Sequence, residues 1–226
     1  MNLKILYTSA TAGEADSLRH IDGIISVPGG FRIGKCEINT LVTGVGSISL
    51  AWAMKQWVSS NARPDLAINA GIAGSYAGDF KVGDVVMPVS DCFADLGIET
   101  EDGYLTLAEA GLSDHDKYPF KGGWINASNR YVEMASSLLR PARAITVNTA
   151  TGSKESINRL AGKYNPDIET MEGAAFFYIC ALEELPFMAI RAVSNMVEPR
   201  NRDKWDIALA LTNLSARLKD LFLMLE

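Results

Sequence analysis

Short apolar runs of β-type residues, separated by segments with helical periodicity, constrain this chain more than any other feature. Ile5–Thr8, Ile38–Thr43, Leu66–Ala70, Val85–Val89, Ala144–Asn148 and Phe187–Val193 are predicted strands, and several of them lack polar alternation. A strand that is apolar on both faces needs cover on both, as in a parallel sheet flanked by helices. Between the strands, Ser47–Ser60 carries Leu50, Met54, Trp57 and Val58 at helical spacing, and Ser128–Leu139, Ser153–Lys163 and Glu172–Glu184 also read as helices. In Asp206–Leu225 the residues Ile207, Leu211, Leu214, Leu218, Leu221 and Leu225 step by four and three, a stripe suited to packing on a sheet. The alternation predicts an α/β fold with a mostly parallel sheet and helices on its faces. No linker, repeat or Pro/Ser-rich seam divides the 226 residues, so the expectation is one domain spanning 1–226. Ligands of such sheets bind where strands end and loops begin.

Charge and cysteine usage narrow the partners. Lys and Arg total 21 against 27 Asp and Glu, giving a formal charge of −6 with no basic run. Nucleic-acid affinity rests on neutralising phosphates, so no nucleic-acid partner is expected and a small molecule is. Cys36, Cys92 and Cys180 lie far apart, with neither Cys-x-x-Cys nor an even count. That argues against a disulfide framework or zinc site and for reduced thiols in the cytoplasm. His20 and His115 have no partner pattern for a metal, and no metal is expected. There is no apolar run of about 18 residues to span a membrane, and the apolar stretch ending at Tyr7 is too short for a signal peptide.

Five segments after strands carry residues capable of chemistry. Glu14 follows the first strand at the start of a predicted helix, where the helix dipole alone would favour it. Thr43-Gly44-Val45-Gly46-Ser47 is a strand, a glycine turn and a helix start. It lacks the third glycine of a dinucleotide fingerprint, and Asn69 and Ala70 stand where a ribose-binding acid would. Asn69-Ala70-Gly71-Ile72-Ala73-Gly74 ends a strand in small residues, either a tight turn or a surface against which a sugar or base can lie. Glu169-Thr170-Met171-Glu172-Gly173-Ala174-Ala175 opens a helix, and Arg191-Ala192-Val193-Ser194-Asn195 ends the last strand, where a buried Arg and Asn need partners. Asp91–Lys121 interrupts the regular rhythm; a long loop rich in acids and aromatics points to function.

Taken in order, these segments resemble the nucleoside phosphorylase and nucleosidase superfamily, in its methylthioadenosine/S-adenosylhomocysteine nucleosidase-like branch. The resemblance runs from Lys4 to the last helix, and Thr170-Met171-Glu172-Gly173-Ala174 and Arg191-Ala192-Val193-Ser194-Asn195 are its most specific pieces. Phe93-Ala94-Asp95-Leu96-Gly97-Ile98-Glu99, Asp102-Gly103-Tyr104-Leu105-Thr106-Leu107, and Asn195 followed by Arg200-Asn201-Arg202-Asp203-Lys204-Trp205 look most like the futalosine hydrolase family. That family splits futalosine into hypoxanthine and dehypoxanthinyl futalosine on an alternative route to menaquinone.

The resemblance implies a three-layer α/β/α sandwich with a mixed, mostly parallel sheet, a homodimer, no cofactor, and hydrolysis of an N-ribosidic bond through an oxocarbenium-like ribose. It assigns Glu14 to orienting and deprotonating water, Glu172 to the 2′- and 3′-hydroxyls with Met171 beneath the sugar, and Arg191 to the support of Glu172. Gly71, Ile72 and Ala73 would lie against the nucleoside, and the stretch 146–153 would border the purine. Asn195 stands where the methylthioadenosine enzymes have Asp. An amide donates a hydrogen bond to N7 or O6 but delivers no proton, which favours a 6-oxopurine leaving group. On the 5′ side, the loop from Phe93 to Tyr104 is expected to supply an aromatic surface and Arg200 or Arg202 a cation, while Tyr104 and Trp205 individually read as packing residues. A carboxylate at Glu14 would repel phosphate, so hydrolysis is favoured over phosphorolysis. The principal alternative is a methylthioadenosine/S-adenosylhomocysteine nucleosidase releasing adenine. A 6-oxopurine phosphorylase and an idle nucleoside-binding protein come behind it.

Overall fold

The structure, a computed structural model, describes residues 2–76, 78–101 and 103–225; Asp102 of the motif above lies outside them. Strand β1 (Leu3–Ser9) leads into a four-residue helix α1 (Ala12–Ala15) and a 3-10 turn at Asp16–His20. Then come β2 (Ile25–Val27), β3 (Gly30–Ile33), β4 (Cys36–Val42), helix α2 (Ser47–Ser60) and the long β5 (Leu66–Ser75). Beyond β6 (Val85–Asp91), the long loop contains a hairpin, β7 (Gly97–Thr100) with β8 (Gly103–Thr106), ahead of β9 (Ile125–Asn126). The remainder is α3 (Arg130–Ala135), β10 (Arg140–Thr146), α4 (Lys154–Tyr164), β11 (Ile168–Thr170), α5 (Gly173–Leu182), β12 (Phe187–Met196), a 3-10 turn at Arg202–Lys204 and α6 (Ile207–Met224).

The main sheet has ten strands and runs β11-β10-β6-β12-β5-β1-β4-β3-β2, with β9 on β6. Its central ladders, β4–β1–β5–β12 and β6–β10–β11, are parallel. Where these two groups meet the pairing is antiparallel: β12 meets β6 at Arg191↔Val86, and β11 returns to β5 at Glu169↔Gly74. The sheet is therefore mixed, less parallel than the apolar runs suggest, and it curls until β11 closes on β5. Two register irregularities assist the curl, one in the β10–β6 pair, where β6 has the extra residue Val89 opposite Ala142 and Arg143, and one in β12 between Val193 and Asn195. An extra residue in one strand increases local twist and re-aims the side chains beside it.

β5 also corrects an expectation. The predicted strand stops at Ala70 and leaves a tight turn open as one reading of the glycines, yet Gly71–Ser75 continue as strand because β12 pairs with them from one side and β11 with the last two from the other. Pairing on both edges outweighs the poor intrinsic strand preference of glycine. The predicted helix at Ser128–Leu139 shortens to α3, where the Asn129 side chain accepts from the Tyr131 and Val132 amides and fixes the start.

Packing explains the helix stripes. In α6, Ala210, Leu214, Leu218, Leu221 and Phe222 are fully buried, and each large side chain contributes about 1.5–3 kcal/mol. Its first turns behave differently: Ile207 and Leu211 wall a cavity, Leu211 while also packing on the core. α5 packs on α2 and seats Phe176 and Phe177 against Phe187, with ring centroids 5.9 and 4.8 Å from it.

Candidate active site

A cavity of about 330 Å³ opens where β1, β5, β11 and β12 end. Glu14, Ile72, Ala73, Met171, Glu172 and Asn195 all line it, so residues scattered over the whole chain converge there. Val45, Ala150, Thr151, Glu169 and Trp205 complete the parts of the wall that bear on chemistry.

Glu14 is held by its neighbours on both sides. Thr11 caps α1 by accepting from the Glu14 amide, while Glu14 Oε2 accepts from the Thr11 amide at 3.0 Å and from Thr11 Oγ1 at 2.9 Å. Oε1 accepts from the Ile72 amide at 3.0 Å, which ties the carboxylate to β5. A Cβ at Gly71 would fall on Oε1, so glycine is needed there for close approach and not for a turn.

Glu172 stands at the N-cap of α5 but does not cap it. Two threonines take amides of its first turn instead: Thr170 Oγ1 accepts from the Gly173 amide at 3.1 Å and Thr146 Oγ1 from the Ala174 amide, a usual capping target, at 2.7 Å. Thr146 Oγ1 donates in turn to Asp91 Oδ1 at 2.9 Å. Relieved of capping, the Glu172 carboxylate reaches the Gly46 amide at 2.8 Å. The Gly44-Val45-Gly46 turn, with φ of 83° and 92° at its glycines, presents that amide and sets Val45 in the cavity wall. Burial raises the Glu172 carboxyl above its usual range, opposed by the Gly46 hydrogen bond and the charge of Arg191.

Arg191 lies behind the cavity, fully buried, and is not among the lining residues. It donates to the Asn69 and Ile190 carbonyls and to Asn69 Oδ1, while Asn69 Nδ2 donates to Thr8 Oγ1 at 3.0 Å. Burial lowers the guanidinium pKa, and the charges of Glu172, Glu14 and Asp91 act to raise it. Arg191 thus offsets the acids from beneath without touching the cavity. Asp91 is fully buried too, and desolvation pushes its carboxyl up to about 7.

The β12 irregularity orients Asn195. Ser194 Oγ donates to Asn195 Oδ1 at 2.8 Å, and Asn195 Nδ2 donates to the Met196 carbonyl at 3.0 Å. One hydrogen of Nδ2 and one lone pair of Oδ1 are left available to a ligand.

Two residues named in the sequence are given no part in the site there. Glu169 is a third carboxylate in the wall, on a strand of three residues too short to show periodicity. Only its place three residues before Glu172 could have drawn attention to it. Trp205 reads as packing but lines the cavity, with the Arg200 guanidinium carbon 5.6 Å from its ring centroid. The loop expected to flank the same site lies elsewhere: Phe93 packs edge-on against Tyr178, and Tyr104 sits under Arg159 and Lys163. From the stretch 146–153, Ala150 and Thr151 do reach the cavity wall.

Two acids braced by backbone amides, with an amide donor in the same enclosure, suit general-base catalysis at a centre that develops positive charge. The family comparison agrees with that class of chemistry. A model of the phosphorylase superfamily matches residues 18–225, and the chain belongs to this superfamily. Its curated relatives include the futalosine hydrolase of Streptomyces coelicolor, 32% identical over 163 residues that span 72% of this chain and 67% of that protein. The futalosine hydrolase of Acidothermus cellulolyticus is 31% identical over 224 residues, covering 95% of this chain and 88% of the relative. Among solved structures, the 5′-methylthioadenosine/S-adenosylhomocysteine nucleosidase of Neisseria meningitidis superposes with a TM-score of 0.79 at 18% identity, over 97% of this chain and 98% of that one. It shares the fold.

Proposed function

We propose that this chain hydrolyses the N-ribosidic bond of futalosine to hypoxanthine and dehypoxanthinyl futalosine, a step of menaquinone biosynthesis. The observation that carries this reading is the meeting of Glu14, Glu172 and an Asn195 with an amide hydrogen to spare in one cavity; the futalosine hydrolase relatives support it. Glu14, held by Thr11 and Ile72, orients the attacking water and takes its proton. General-base catalysis of this kind is worth about two to four orders of magnitude. Glu172 accepts from the ribose hydroxyls over Met171, and its charge favours the developing cation. Arg191 acts on substrate through Glu172, from behind. Asn195 donates to N7 or O6 of the departing base. Ile72 and Ala73 face the nucleoside, and Gly71 keeps room for the Glu14 carboxylate. On the 5′ side the Trp205 ring and the Arg200 guanidinium supply an aromatic surface and a cation for a carboxylated aryl group.

The assembly that fits this reading is a cytoplasmic homodimer. Ile48 and Trp52, one turn apart on α2, are 84% and 67% exposed beside the cavity residue Val45, which supports a second copy covering this face. Among the described residues no helix is long and apolar enough to cross a membrane. The three-layer α/β/α arrangement is supported by the packing of α2 on α5 and of α6 on β12 and α3.

Chromatographic product analysis with futalosine, inosine, methylthioadenosine and S-adenosylhomocysteine, each without phosphate, tests the proposal. Hypoxanthine from futalosine is expected. Adenine from the thio-nucleosides, with futalosine untouched, would replace this reading by the methylthioadenosine/S-adenosylhomocysteine nucleosidase.

A further inference from the structure

Asp91, Thr146 and Thr170 are the last residues of β6, β10 and β11, three neighbouring strands, and all three side chains are buried. Thr146 and Thr170 are register partners, so their side chains share a face of the sheet. That face meets the start of α5, where both hydroxyls bond backbone amides. Neither Asp91 nor Thr146 lines the cavity.

Counting hydrogens gives the bonds a direction. A threonine hydroxyl has one hydrogen and two lone pairs. Thr146 Oγ1 gives its hydrogen to Asp91 Oδ1, which accepts whether the carboxyl is ionised or carries its proton on Oδ2. One lone pair of Thr146 takes the Ala174 amide, so the contact with Thr170 Oγ1 at 3.2 Å uses the other, with Thr170 as donor. Thr170 then has a lone pair for the Gly173 amide. Thr146 is saturated, and Asp91 is the group that turns its lone pairs toward the helix. A Cβ at Gly173 would fall on Asp91 Oδ2, so glycine there lets the acid come this close.

The Ala174 amide is where the network bears on the cavity. Ala174 is fully buried, and without Thr146 Oγ1 its N–H would be an unsatisfied donor, which is costly. Glu172 is placed to take it over, because an N-cap side chain ordinarily bonds the second or third amide of its helix. Moving there would break its bond to the Gly46 amide and draw the carboxylate back toward the helix.

We propose that Thr146 is a positioning residue for ribose recognition: by occupying the Ala174 amide it keeps the Glu172 carboxylate in the cavity, with Asp91 fixing the direction of its hydroxyl. The proposal rests on the nucleosidase reading above and adds to it the residue that holds the ribose-binding acid in place.

The test compares two probes by calorimetry. Formycin B is a C-nucleoside whose carbon–carbon glycosidic bond resists hydrolysis, and it carries the ribose hydroxyls; free hypoxanthine carries none. In Thr146→Val the ratio of formycin B to hypoxanthine affinity is expected to fall about tenfold to a hundredfold, the range of a charge-assisted hydrogen bond, with hypoxanthine affinity unchanged. Thr146→Ser keeps the hydroxyl and should restore the wild-type ratio. In a Glu172→Ala background, Thr146→Val should move the ratio no further, because the two residues act as one unit. If Thr146 only stabilises the fold, the melting temperature and both affinities drop together while the ratio stays put, which overturns the proposal. A serine variant as impaired as valine, or an additional fall in the Glu172→Ala background, overturns it too. Should the valine variant not fold, Thr146→Cys, whose thiol is a weak acceptor, takes its place with the same outcomes. A wild type that binds neither probe would remove the nucleosidase reading itself, and the proposal with it.

Discussion

Glu14 shows how little a residue's identity says without its surroundings. At the start of a helix a glutamate is ordinary, and the Thr11–Glu14 capping box is a local device. What turns it into a candidate base is the third partner, the Ile72 amide on a strand 58 residues away. Glu14→Gln should lower kcat for futalosine about a hundredfold to ten-thousandfold with little change in hypoxanthine affinity; a steady-state assay beside a binding measurement separates the two. Gly71→Ala should do part of the same damage indirectly, because its methyl displaces Oε1 from the Ile72 amide. The expected signature is reduced kcat with a normal melting temperature. An alanine variant with full activity would show that the Ile72 contact does not set the base. Arg191 and Asn195 follow the same pattern. Their need for partners is legible in the chain, but the partners, Asn69 for one and Ser194 with Met196 for the other, are supplied by register.

Among the elements, α5 has the most unusual start. Its first amides are bonded by Thr170 and Thr146, and Thr146 is bonded by Asp91, so three strands share the work of one cap. The arrangement releases Glu172 at the cost of burying an acid. Asp91 titrates near pH 7 in the folded protein and near about 4 when unfolded. Between those values the unfolded chain releases the proton while the folded chain keeps it. Folding stability therefore falls as pH rises from about 4 to about 7, by at most about 1.4 kcal/mol per unit, and levels off above. Urea unfolding of the wild type and Asp91→Asn at pH 5, 6, 7 and 8 reads this directly. The stability of the wild type relative to the variant should decline up to pH 7 and then hold. A constant difference would show that Asp91 is already ionised when folded.

At the scale of the molecule, closure of the sheet matters most. β11 has only three residues, yet it joins β10 to β5 and brings Glu169, Thr170 and the approach to Glu172 against the ends of β5 and β12. Because the cavity wall draws on β5, β11, β12, α1 and the start of α6, the walls and the core should melt as one unit. Scanning calorimetry is expected to give a single transition that hypoxanthine shifts upward, by the mass action of a ligand that binds only the folded state. Two resolved transitions would instead mark a separable unit within 1–226.

Periodicity carried the parts of this protein in which neighbouring residues decide the outcome. The apolar runs became β1, β4, β5, β6, β10 and β12, the α6 stripe became buried leucines, and the motif residues Glu14, Met171, Glu172 and Asn195 reached one cavity. Contacts distant in sequence carried the rest. The antiparallel joints, the extension of β5 through its glycines and the arrival of Glu169 and Trp205 in the wall have no local signature. A side chain's preference for helix or strand acts within a few residues, whereas register and closure come from hydrogen-bonding edges that meet only after the chain has folded.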